Sequence, residues 1–441
     1  MASAGDFGKH NPFTASLLTH SKVFGDNKAL RDLIDSREVL MRNRVILLLI
    51  LCISLLVTMP CSAGLGESTG IAQDITHLAK IQLSHHRSEV GVLTDGDYRS
   101  KWKIQKNGYA EFSLPDDLPC HTLYVLMGGE PDDLIVEAEE NGSWREVPVE
   151  GVRFNTQCIP LNGETHFRLR EARGPLRLME VRLFGEGGLP DDVVNFHAIA
   201  DKADLMILAC HPDDDILWLG GLMPLYAGQL DMNVQVAYMT SRFHYRRCEA
   251  MDALWHCGVH FGPVFAGLPD SGTIQYTEAV TMWGGIQETA RVIARMIRQF
   301  RPEVLVTQDA KGEYGHPQHR LMSAACTQAV TMAADPTIRV LNDLTPWEVK
   351  KYYIHLYPED TLVLDFERPL RAFGGKSAFE VAKEAFLLHK SQQTGRYEVS
   401  IDGPYDIRRF GLAYSTVGPD EAHDGLFEHL GELYEKEKSL K

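Results

Sequence analysis

Two stretches of the chain place a histidine three residues before a second side chain that can bind metal. His211-Pro212-Asp213-Asp214 follows the apolar segment LMILAC, and His316-Pro317-Gln318-His319 comes shortly after the segment VLVTQD. Proline suits the first turn of a helix, and residues three apart on a helix face the same side. We therefore expect His211 to point with Asp214, and His316 to point with His319.

This combination of side chains predicts a catalytic metal centre. Two imidazoles and one carboxylate leave a fourth position open, which is typical of catalytic zinc, although iron(II) or cobalt accepts the same ligands. A dication would also offset the repulsion among Asp213, Asp214 and Asp215. The simpler interpretation is that the three acids only complement a helix N-terminus. Two histidine motifs that each follow a buried strand favour the metal site.

The elements that must position these motifs predict a doubly wound, Rossmann-like α/β domain over about residues 195–441. The segments ADLMILAC, NVQVAYMTS and EVLVTQD are typical of buried parallel strands. They alternate with the helical stretches TMWGGIQETARVIARMIRQF and QHRLMSAACTQAVTMAA. Ligands of such sheets bind beyond the carboxyl ends of the strands, and both histidine motifs fall at that edge.

An all-β domain, a β-sandwich or jelly roll, is expected before it, over residues 85–188. Short segments with alternating polar and apolar residues predict its strands. These segments are YAEFSL, TLYVLM, DLIVEAEE, WREVPV, THFRLR and LRLMEVRLF. Asn141-Gly142 predicts a tight hairpin turn, and with Ser143 it also fits a glycosylation sequon. The polar residues 64–84 are predicted to form a linker.

The N-terminal region has the pattern of a targeting segment. In residues 41–63, Arg42 and Arg44 precede an apolar stretch that ends in small residues, as in a secretory signal peptide. The stretch is shorter than the roughly 20 apolar residues of a membrane span, which favours cleavage over a retained signal anchor. Residues 1–40 are interpreted as an extension upstream of the true start. We therefore expect a secreted or cell-surface protein, which meets a membrane only through this segment if it stays uncleaved.

Composition excludes some classes of partner. The chain of 441 residues has room for two or three domains, and its net charge of −16 argues against binding to nucleic acid. No Gly-x-Gly-x-x-Gly or phosphate loop follows the first α/β strand, which weighs against nucleotide binding. Cys120 with Cys158, or Cys248 with Cys257, would form disulfides in an exported protein, and buried free thiols are the alternative. The sequence does not indicate the oligomeric state.

The two histidine motifs resemble those of the LmbE-like (PIG-L) family of zinc-dependent N-acetylglucosaminyl deacetylases. The family pattern A-H-P-D-D-E corresponds to residues 210–215, and its later H-P-x-H corresponds to residues 316–319. A Tyr-Gly often precedes the second motif, as Tyr314-Gly315 do here. The segments GLPDSG and AKEAFLLHKSQ match the family more weakly. The resemblance covers about residues 200–395.

The resemblance implies a role for each residue of the motifs. The zinc ligands would be His211, Asp214 and His319. Asp213 would act as the general base on the attacking water, since zinc lowers the pKa of its water to about 7. His316 would polarise the amide carbonyl or protonate the leaving amine, and Tyr314 would help to stabilise the oxyanion. The substrate would be an N-acetylated amino sugar or a glycan that carries one.

Two positions depart from the family pattern. Asp215 stands in place of the usual Glu, which puts its support of the metal ligands in doubt. Gln318 stands where many members have Asp, and this bears on the basicity of the neighbouring histidine and on the proton-donor role of His316. Further candidates for substrate contact are Arg242, His244, Arg246, Arg247, Asp270 and His389. Their alternatives are a cationic helix face, an ordinary turn and a buried histidine.

The ends of the β region resemble galactose-binding-like (discoidin-type) domains. The segments that carry this resemblance are LTDGDYRSKW and LMEVRLFGEG. It implies a domain that holds the protein on a glycan, with a loop in which Asp95 and Asp97 sometimes hold a structural calcium. An ordinary Asp-Gly-Asp turn is the more frequent arrangement.

Three hypotheses about function follow from these patterns. The leading one is an exported zinc amidohydrolase that removes acetyl groups from N-acetylglucosamine-type sugars or glycoconjugates. The second is a zinc amidase that releases a larger acyl group from another sugar amide or conjugate. The third is a non-catalytic surface protein that binds glycans. Acyl-length profiling separates the first two. Retention of glycan binding after mutation of His211 and His319, in a protein that holds no metal to lose, would favour the third.

Overall fold

A computed structural model describes residues 70–128, 134–149, 155–171, 177–272, 275–340 and 344–440. The predicted N-terminal extension 1–40 and the signal segment 41–63 lie outside the described residues. Among the helices in these ranges, none is long and apolar enough to cross a membrane. The export and the possible membrane anchoring expected from the sequence therefore stay predictions.

The first described region is built from antiparallel strands. In chain order, these are β1 Lys80–Leu83, β2 Trp102–Lys103, β3 Tyr109–Ser113, β4 Cys120–Met127, β5 Leu134–Glu140, β6 Ser143–Val147, β7 Thr156–Glu164, β8 His166–Glu171 and β9 Arg177–Phe184. Within the described residues they form a five-stranded sheet of order β1-β3-β8-β5-β6 and a four-stranded sheet of order β2-β9-β4-β7. Each predicted strand segment of this region coincides with one of them.

Side chains from both sheets bury one another in a common core. Phe112 and Phe167 of the five-stranded sheet stack with ring centroids 5.2 Å apart, and they share a buried cluster with Leu123 and Leu178 of the four-stranded sheet. The alternation of strand side chains explains this, because every second residue faces the same side of a sheet. The jelly-roll topology and the discoidin-type resemblance stay predictions.

The hairpin predicted at Asn141-Gly142 is confirmed. The two residues join β5 to β6 with φ angles of 51° and 78°, as a two-residue turn of this kind requires. Strand β1 was not expected, because it lies inside the range 64–84 predicted as a linker and is too short to show clear alternation. Strand β7 escaped prediction because it contains Pro160, which a strand at the edge of a sheet tolerates.

The second region is an α/β domain. Its strands are β10 Leu205–Ala209, β11 Val234–Thr240, β12 Val264–Leu268, β13 Val304–Thr307, β14 Lys351–His355, β15 Thr361–Val363 and β16 Arg409–Ser415. Its α-helices are α1 Asp214–Leu217, α2 His244–His256, α3 Tyr276–Met282, α4 Ile286–Phe300, α5 Pro317–Ala334, α6 Ala378–Leu388 and α7 Glu432–Lys438. Segments of 3₁₀ or π helix in the described residues are Thr76–Leu78, Arg87–Leu93, Pro224–Gln229, Arg371–Phe373, Lys390–Gln392 and Gly403–Tyr405.

The strands of this domain form one sheet with β10 near its middle. Among the described residues the order is β12-β11-β10-β13-β14-β16-β15, and strands β10 to β14 run parallel while β16 pairs antiparallel with both β14 and β15. The chain moves outward from β10 in both directions. The strand order therefore reverses between β10 and β13, which is where such sheets bind ligands.

Helices cover both faces of the sheet, as the doubly wound prediction requires. Leu205 and Ile207 of β10 belong to one buried cluster, which includes residues of α2 and α6. Met206 and Leu208 belong to a second cluster, which includes residues of α4 and α5. Because successive strand residues point to opposite faces, the apolar run of β10 supplies both cores.

One predicted helix is wrong as a continuous element. The stretch TMWGGIQETARVIARMIRQF contains the end of α3 and all of α4, separated at Gly284 and Gly285. These glycines have φ angles of 76° and 100°, a region that helices of L-residues do not use. Strands β12, β14, β15 and β16 also went unpredicted, since their short segments lack a distinctive periodicity.

Candidate metal centre

The two histidine motifs meet where the strand order reverses. His211 lies two residues after β10, and His316 and His319 lie at the start of α5, which follows β13. Pro317 is the first residue of α5, as predicted, whereas α1 begins at Asp214 and not at Pro212. The reason is the backbone of Asp213, whose φ of 145° is incompatible with a helix.

Three potential ligand atoms form a compact triangle. His211 Nδ1 lies 2.9 Å from Asp214 Oδ2, His319 Nε2 lies 3.1 Å from the same oxygen, and the two nitrogens are 3.1 Å apart. Ligand atoms about 2 Å from a tetrahedral ion lie about 3.3 Å from one another, so the three atoms fit around one cation. Cys210 belongs to the same group of potential ligands, and its sulfur lies 3.8 Å from His211 Nε2.

Other side chains hold these ligands in place. His319 Nδ1 lies 2.7 Å from Glu313 Oε2 and 3.0 Å from the Gln308 amide nitrogen. His211 Nε2 lies 3.1 Å from Gln318 Oε1, and the Trp218 indole donates a 3.0 Å hydrogen bond to the second oxygen of Asp214. A carboxylate behind an imidazole fixes its tautomer and leaves the opposite nitrogen free for a metal.

The centre concentrates negative charge around the imidazoles. Burial opposes ionisation of Asp214, but His319 and His211 outweigh it and hold its pKa well below the usual value. Burial likewise disfavours charge on His319, yet Asp214 and Glu313 raise its pKa to about 10. The surrounding side chains therefore favour a positive charge between His211, Asp214 and His319. A bound metal ion would supply that charge.

Asp213 is paired with a cation, Arg246. Its Oδ1 accepts a 2.5 Å hydrogen bond from Arg246, which also lies 3.7 Å from Asp270. Burial raises the pKa of Asp213 to about 6 against the opposing effect of Arg246. The carboxylate is therefore mostly ionised at pH 7, and its pKa is close to that of an efficient general base.

His316 and Tyr314 lie on the open side of the centre. The His316 ring is centred 4.9 Å from His211 and 4.4 Å from His319. Burial and these two imidazoles lower the pKa of His316 to about 3, so its ring is neutral at pH 7. Tyr314 is 39% exposed and stacks on Tyr397 with ring centroids 4.6 Å apart.

These groups line a cavity of about 690 Å³. Its lining combines His211, Asp214 and charged neighbours with aromatic side chains. The lining residues are His211, Asp213, Asp214, Leu217, Trp218, Arg246, Asp270, Gly272, Tyr314, Gly315, His316, Pro317, Phe386, Gln392, Thr394, Arg396 and Tyr397. A lining that contains both hydrogen-bonding groups and aromatic rings suits a sugar, which has polar edges and apolar ring faces.

The structure separates the candidate substrate contacts into two groups. Arg246 and Asp270 line the cavity, whereas Arg242 lies over Phe243 and Arg247 donates to the Ser241 hydroxyl. The other two candidates, His244 and His389, are not among the lining residues. His389 is fully buried, and neither ring nitrogen has a hydrogen-bond partner among the described residues.

The structure shows the surroundings of Asp215 and Gln318, the two residues that depart from the family pattern. Asp215 is fully buried, and burial raises its pKa to about 7. The Gln318 side chain contacts His211 and the Pro269 carbonyl, and only its backbone N–H reaches His316. Replacement of Asp by Gln at position 318 was expected to change the basicity of His316. Because the Gln318 side chain contacts His211, this change in basicity applies to His211.

Several residues of the centre were missed by sequence reasoning. Glu313 and Gln308 contact His319 Nδ1. Part of the cavity lining comes from a distant segment, residues 392–397, which forms the rim of the cavity. The unpredicted members are Cys210, Trp218, Gln308, Glu313, Gln392, Thr394, Arg396 and Tyr397. Cys210, which directly precedes His211, and Glu313, which directly precedes Tyr314-Gly315, stood close enough to a motif to be suspected. All six cysteines of the described regions are free thiols, so neither candidate disulfide is present.

Comparison with known proteins places this centre in a family. The family described as "PIG-L: GlcNAc-PI de-N-acetylase" matches residues 206–330, which include both histidine motifs. A 1D-myo-inositol 2-acetamido-2-deoxy-alpha-D-glucopyranoside deacetylase of Streptomyces avermitilis is 30% identical over 202 residues, covering 39% of this chain and 67% of the relative. The chain belongs to the PIG-L family.

A second PIG-L relative, from Streptomyces scabiei, carries the same name. It is 30% identical over 195 residues, which cover 37% of this chain and 59% of the relative's length. Among solved structures, the N,N'-diacetylchitobiose deacetylase from Pyrococcus horikoshii is 18% identical, with 43% of this chain and 71% of that chain covered at a TM-score of 0.34. Likeness at that TM-score does not bear on function.

Proposed function

We propose that this PIG-L protein is a zinc-dependent hydrolase that removes the acetyl group from an N-acetylglucosamine-type sugar or glycoconjugate. The observation that carries the proposal is the triangle of ligand atoms from His211, Asp214 and His319, with edges of 2.9 to 3.1 Å, at the floor of a sugar-sized cavity. The relatives named as deacetylases of a 2-acetamido sugar support the substrate class.

The donor set suits zinc. Two imidazole nitrogens and one carboxylate oxygen leave a position open to substrate, and Glu313 behind His319 completes the arrangement usual for a zinc-binding histidine. When bound, the ion supplies Lewis-acid chemistry that makes water acidic near neutral pH and polarises a carbonyl.

Asp213 takes the proton from the attacking water. Asp213 directly precedes the ligand Asp214 in the chain, and Arg246 orients its carboxylate. Arg246 itself is partly buried and donates a 3.0 Å hydrogen bond to the Pro212 carbonyl. The base therefore has one fixed orientation, which is the condition for efficient proton transfer.

The remaining groups act on the amide. His316, whose ring is neutral at pH 7, either donates an N–H hydrogen bond to the acetamide carbonyl or relays to the leaving amine the proton that Asp213 has removed from water. Tyr314 supplies a hydroxyl for the developing oxyanion. Arg246 and Asp270 bind hydroxyls of the sugar ring. Trp218 and the Tyr314–Tyr397 stack cover its apolar face.

Export and glycan attachment complete the proposal. The segment 41–63 would direct the protein out of the cytosol, and the β region, as a discoidin-type jelly roll, would hold it on a glycan. Both rest on the sequence patterns.

Acetate release measured with metal analysis tests the activity. Purified protein should contain stoichiometric zinc and release acetate from N-acetylglucosamine derivatives, and Asp213→Asn should lower kcat by about 100-fold to 10,000-fold with zinc retained. Asp116→Asn, at an exposed turn, is the matched control and should behave as wild type. Protein without metal that is inert on every acetamido sugar would refute the proposal, and activity only on longer acyl groups would replace deacetylation by another amide hydrolysis.

A further inference from the structure

Helix α2 connects the candidate catalytic cavity with the β region. Its residues Tyr245, Cys248 and Asp252 are spaced by three and four positions, so they share one side of the helix. Arg246 and Glu249, three residues apart, lie on a neighbouring side. The first side faces the β region, and the second faces the cavity and its rim.

The side of α2 toward the β region is held by a partly buried hydrogen bond among apolar contacts. The Tyr98 hydroxyl donates a 2.6 Å hydrogen bond to Asp252, and Arg99 lies over the ring of Tyr245. Cys248 is buried in a cluster with Tyr124 and other side chains of the four-stranded sheet. Within the described residues, Asp252 has no hydrogen-bond partner other than Tyr98. Loss of that hydroxyl would leave a poorly exposed carboxylate unsatisfied, which is costly.

The side of α2 toward the cavity contacts two parts of the site, Asp213 and the turn that carries Ser391. Arg246 orients Asp213 at 2.5 Å. Glu249 accepts hydrogen bonds from the backbone N–H of Ser391 at 2.8 Å and from its hydroxyl at 2.5 Å. Ser391 directly precedes Gln392, which lines the cavity together with Thr394 and Arg396. A shift of α2 would therefore move the base and the rim together.

The same loop of the β region also contacts the rim segment. The Lys390 ammonium group lies 3.5 Å from the Gly96 carbonyl and 5.4 Å from the centre of the Tyr98 ring. Tyr98 thus contacts both the helix that carries Arg246 and the turn that carries Ser391.

We propose that Tyr98 is a positioning residue for the catalytic cavity, although it belongs to the β region and touches none of the reacting groups. Through Asp252 it fixes α2, and through α2 it fixes Arg246 and the turn at residues 390–392. The β region then affects hydrolysis of small soluble substrates as well as attachment to a glycan. The effect on turnover rests on the proposed function, whereas the ordering of α2 does not.

Hydrogen exchange on the full chain tests the ordering without any substrate. Tyr98→Phe should speed exchange about fivefold to tenfold at backbone amides of residues 244–256 and 390–397, which is the effect of losing one typical intramolecular hydrogen bond. Tyr124→Phe is the matched control, since its ring packs against the same helix and its hydroxyl makes no hydrogen bond among the described residues. Asp252→Asn keeps an oxygen that accepts from Tyr98 and should retain nearly the wild-type protection.

Steady-state kinetics with N-acetylglucosamine completes the test. Tyr98→Phe should lower kcat about threefold to tenfold with zinc content unchanged, while Tyr124→Phe and Asp252→Asn stay near wild type. Exchange in Tyr98→Phe equal to that in Tyr124→Phe would overturn the inference, and so would faster exchange with an unchanged kcat. Faster exchange in a protein whose wild type is inactive on every acetamido sugar would support the ordering of α2 by Tyr98 and refute only the proposed function.

Discussion

Glu313 should control the affinity of the centre for metal, although it is not a ligand itself. Its carboxylate oxygen lies 2.7 Å from His319 Nδ1, and both side chains are fully buried. Its other oxygen accepts a 2.9 Å hydrogen bond from the backbone N–H of Asp309, so the carboxylate is fixed in place. The negative charge behind the imidazole raises the basicity of Nε2, the atom that faces the ligand triangle.

Glu313→Gln removes this charge and keeps the shape of the side chain. Loss of such a partner weakens metal binding about 10-fold to 100-fold. This factor corresponds to about 1.4 to 2.7 kcal/mol of binding free energy. The hydrogen bond from Asp309 can remain, because glutamine still offers an oxygen. The metal-free variant should nevertheless unfold at a lower temperature than wild type, because the buried and protonated His319 loses the negative charge that stabilises it.

A competition titration measures the effect. Metal-free protein and a chromogenic chelator compete for zinc at pH 7.5, and the dissociation constant follows from the chelator absorbance. Glu186→Gln makes the same chemical change at an exposed position and serves as the control. A dissociation constant for Glu313→Gln within twofold of the control would contradict the assignment of His319 Nε2 as a ligand supported by Glu313.

Three further predictions concern stability. Burial raises the pKa of Asp252 from 3.8 to about 7. Between about pH 4 and pH 7 the folded state therefore keeps a proton on Asp252 that the unfolded state releases. The free energy of unfolding falls as pH rises through this window. Asp252→Asn should remove this loss, and scanning calorimetry should show its melting temperature rising relative to wild type from pH 5 to pH 8; a constant difference would contradict the shift. Gly221→Ala would push a methyl group into the ring of Phe366 and should cost about 1 to 3 kcal/mol in unfolding free energy, whereas Gly91→Ala, with open space around it, should cost much less. Chelation of zinc should lower the melting temperature, and readdition should restore it, because a ligand that binds only the folded state stabilises it.

Local patterns predicted the elements that carry the site. The apolar runs before His211 and His316 marked β10 and β13, and the spacing of three within each motif brought the paired side chains together as expected. The hairpin at Asn141-Gly142 was readable for the same reason, since its backbone requirement concerns two adjacent residues. The split of one predicted helix at Gly284 followed from local chemistry as well, but the apolar periodicity on both sides hid it.

Contacts between distant segments were not readable in this way. Arg246 was one of several basic residues in its stretch, and only its contact with Asp213, 33 positions earlier, distinguished it from Arg242 and Arg247. Similarly, a tyrosine in a β-region loop gave no sign that it would bond to Asp252, 154 residues later.

The sequence alone determined the sheet strands of the α/β domain that precede the motifs, and the types of atom available to a metal. These depend on side-chain periodicity and spacing within a few residues, which the chain carries locally. The tertiary structure alone decided that His211 and His319, 108 residues apart, face the same oxygen of Asp214, and that Glu313 and Arg246 stand behind them. The physical reason is that the position of each loop at the sheet edge is set by strand order and core packing, which arise only when the whole domain folds.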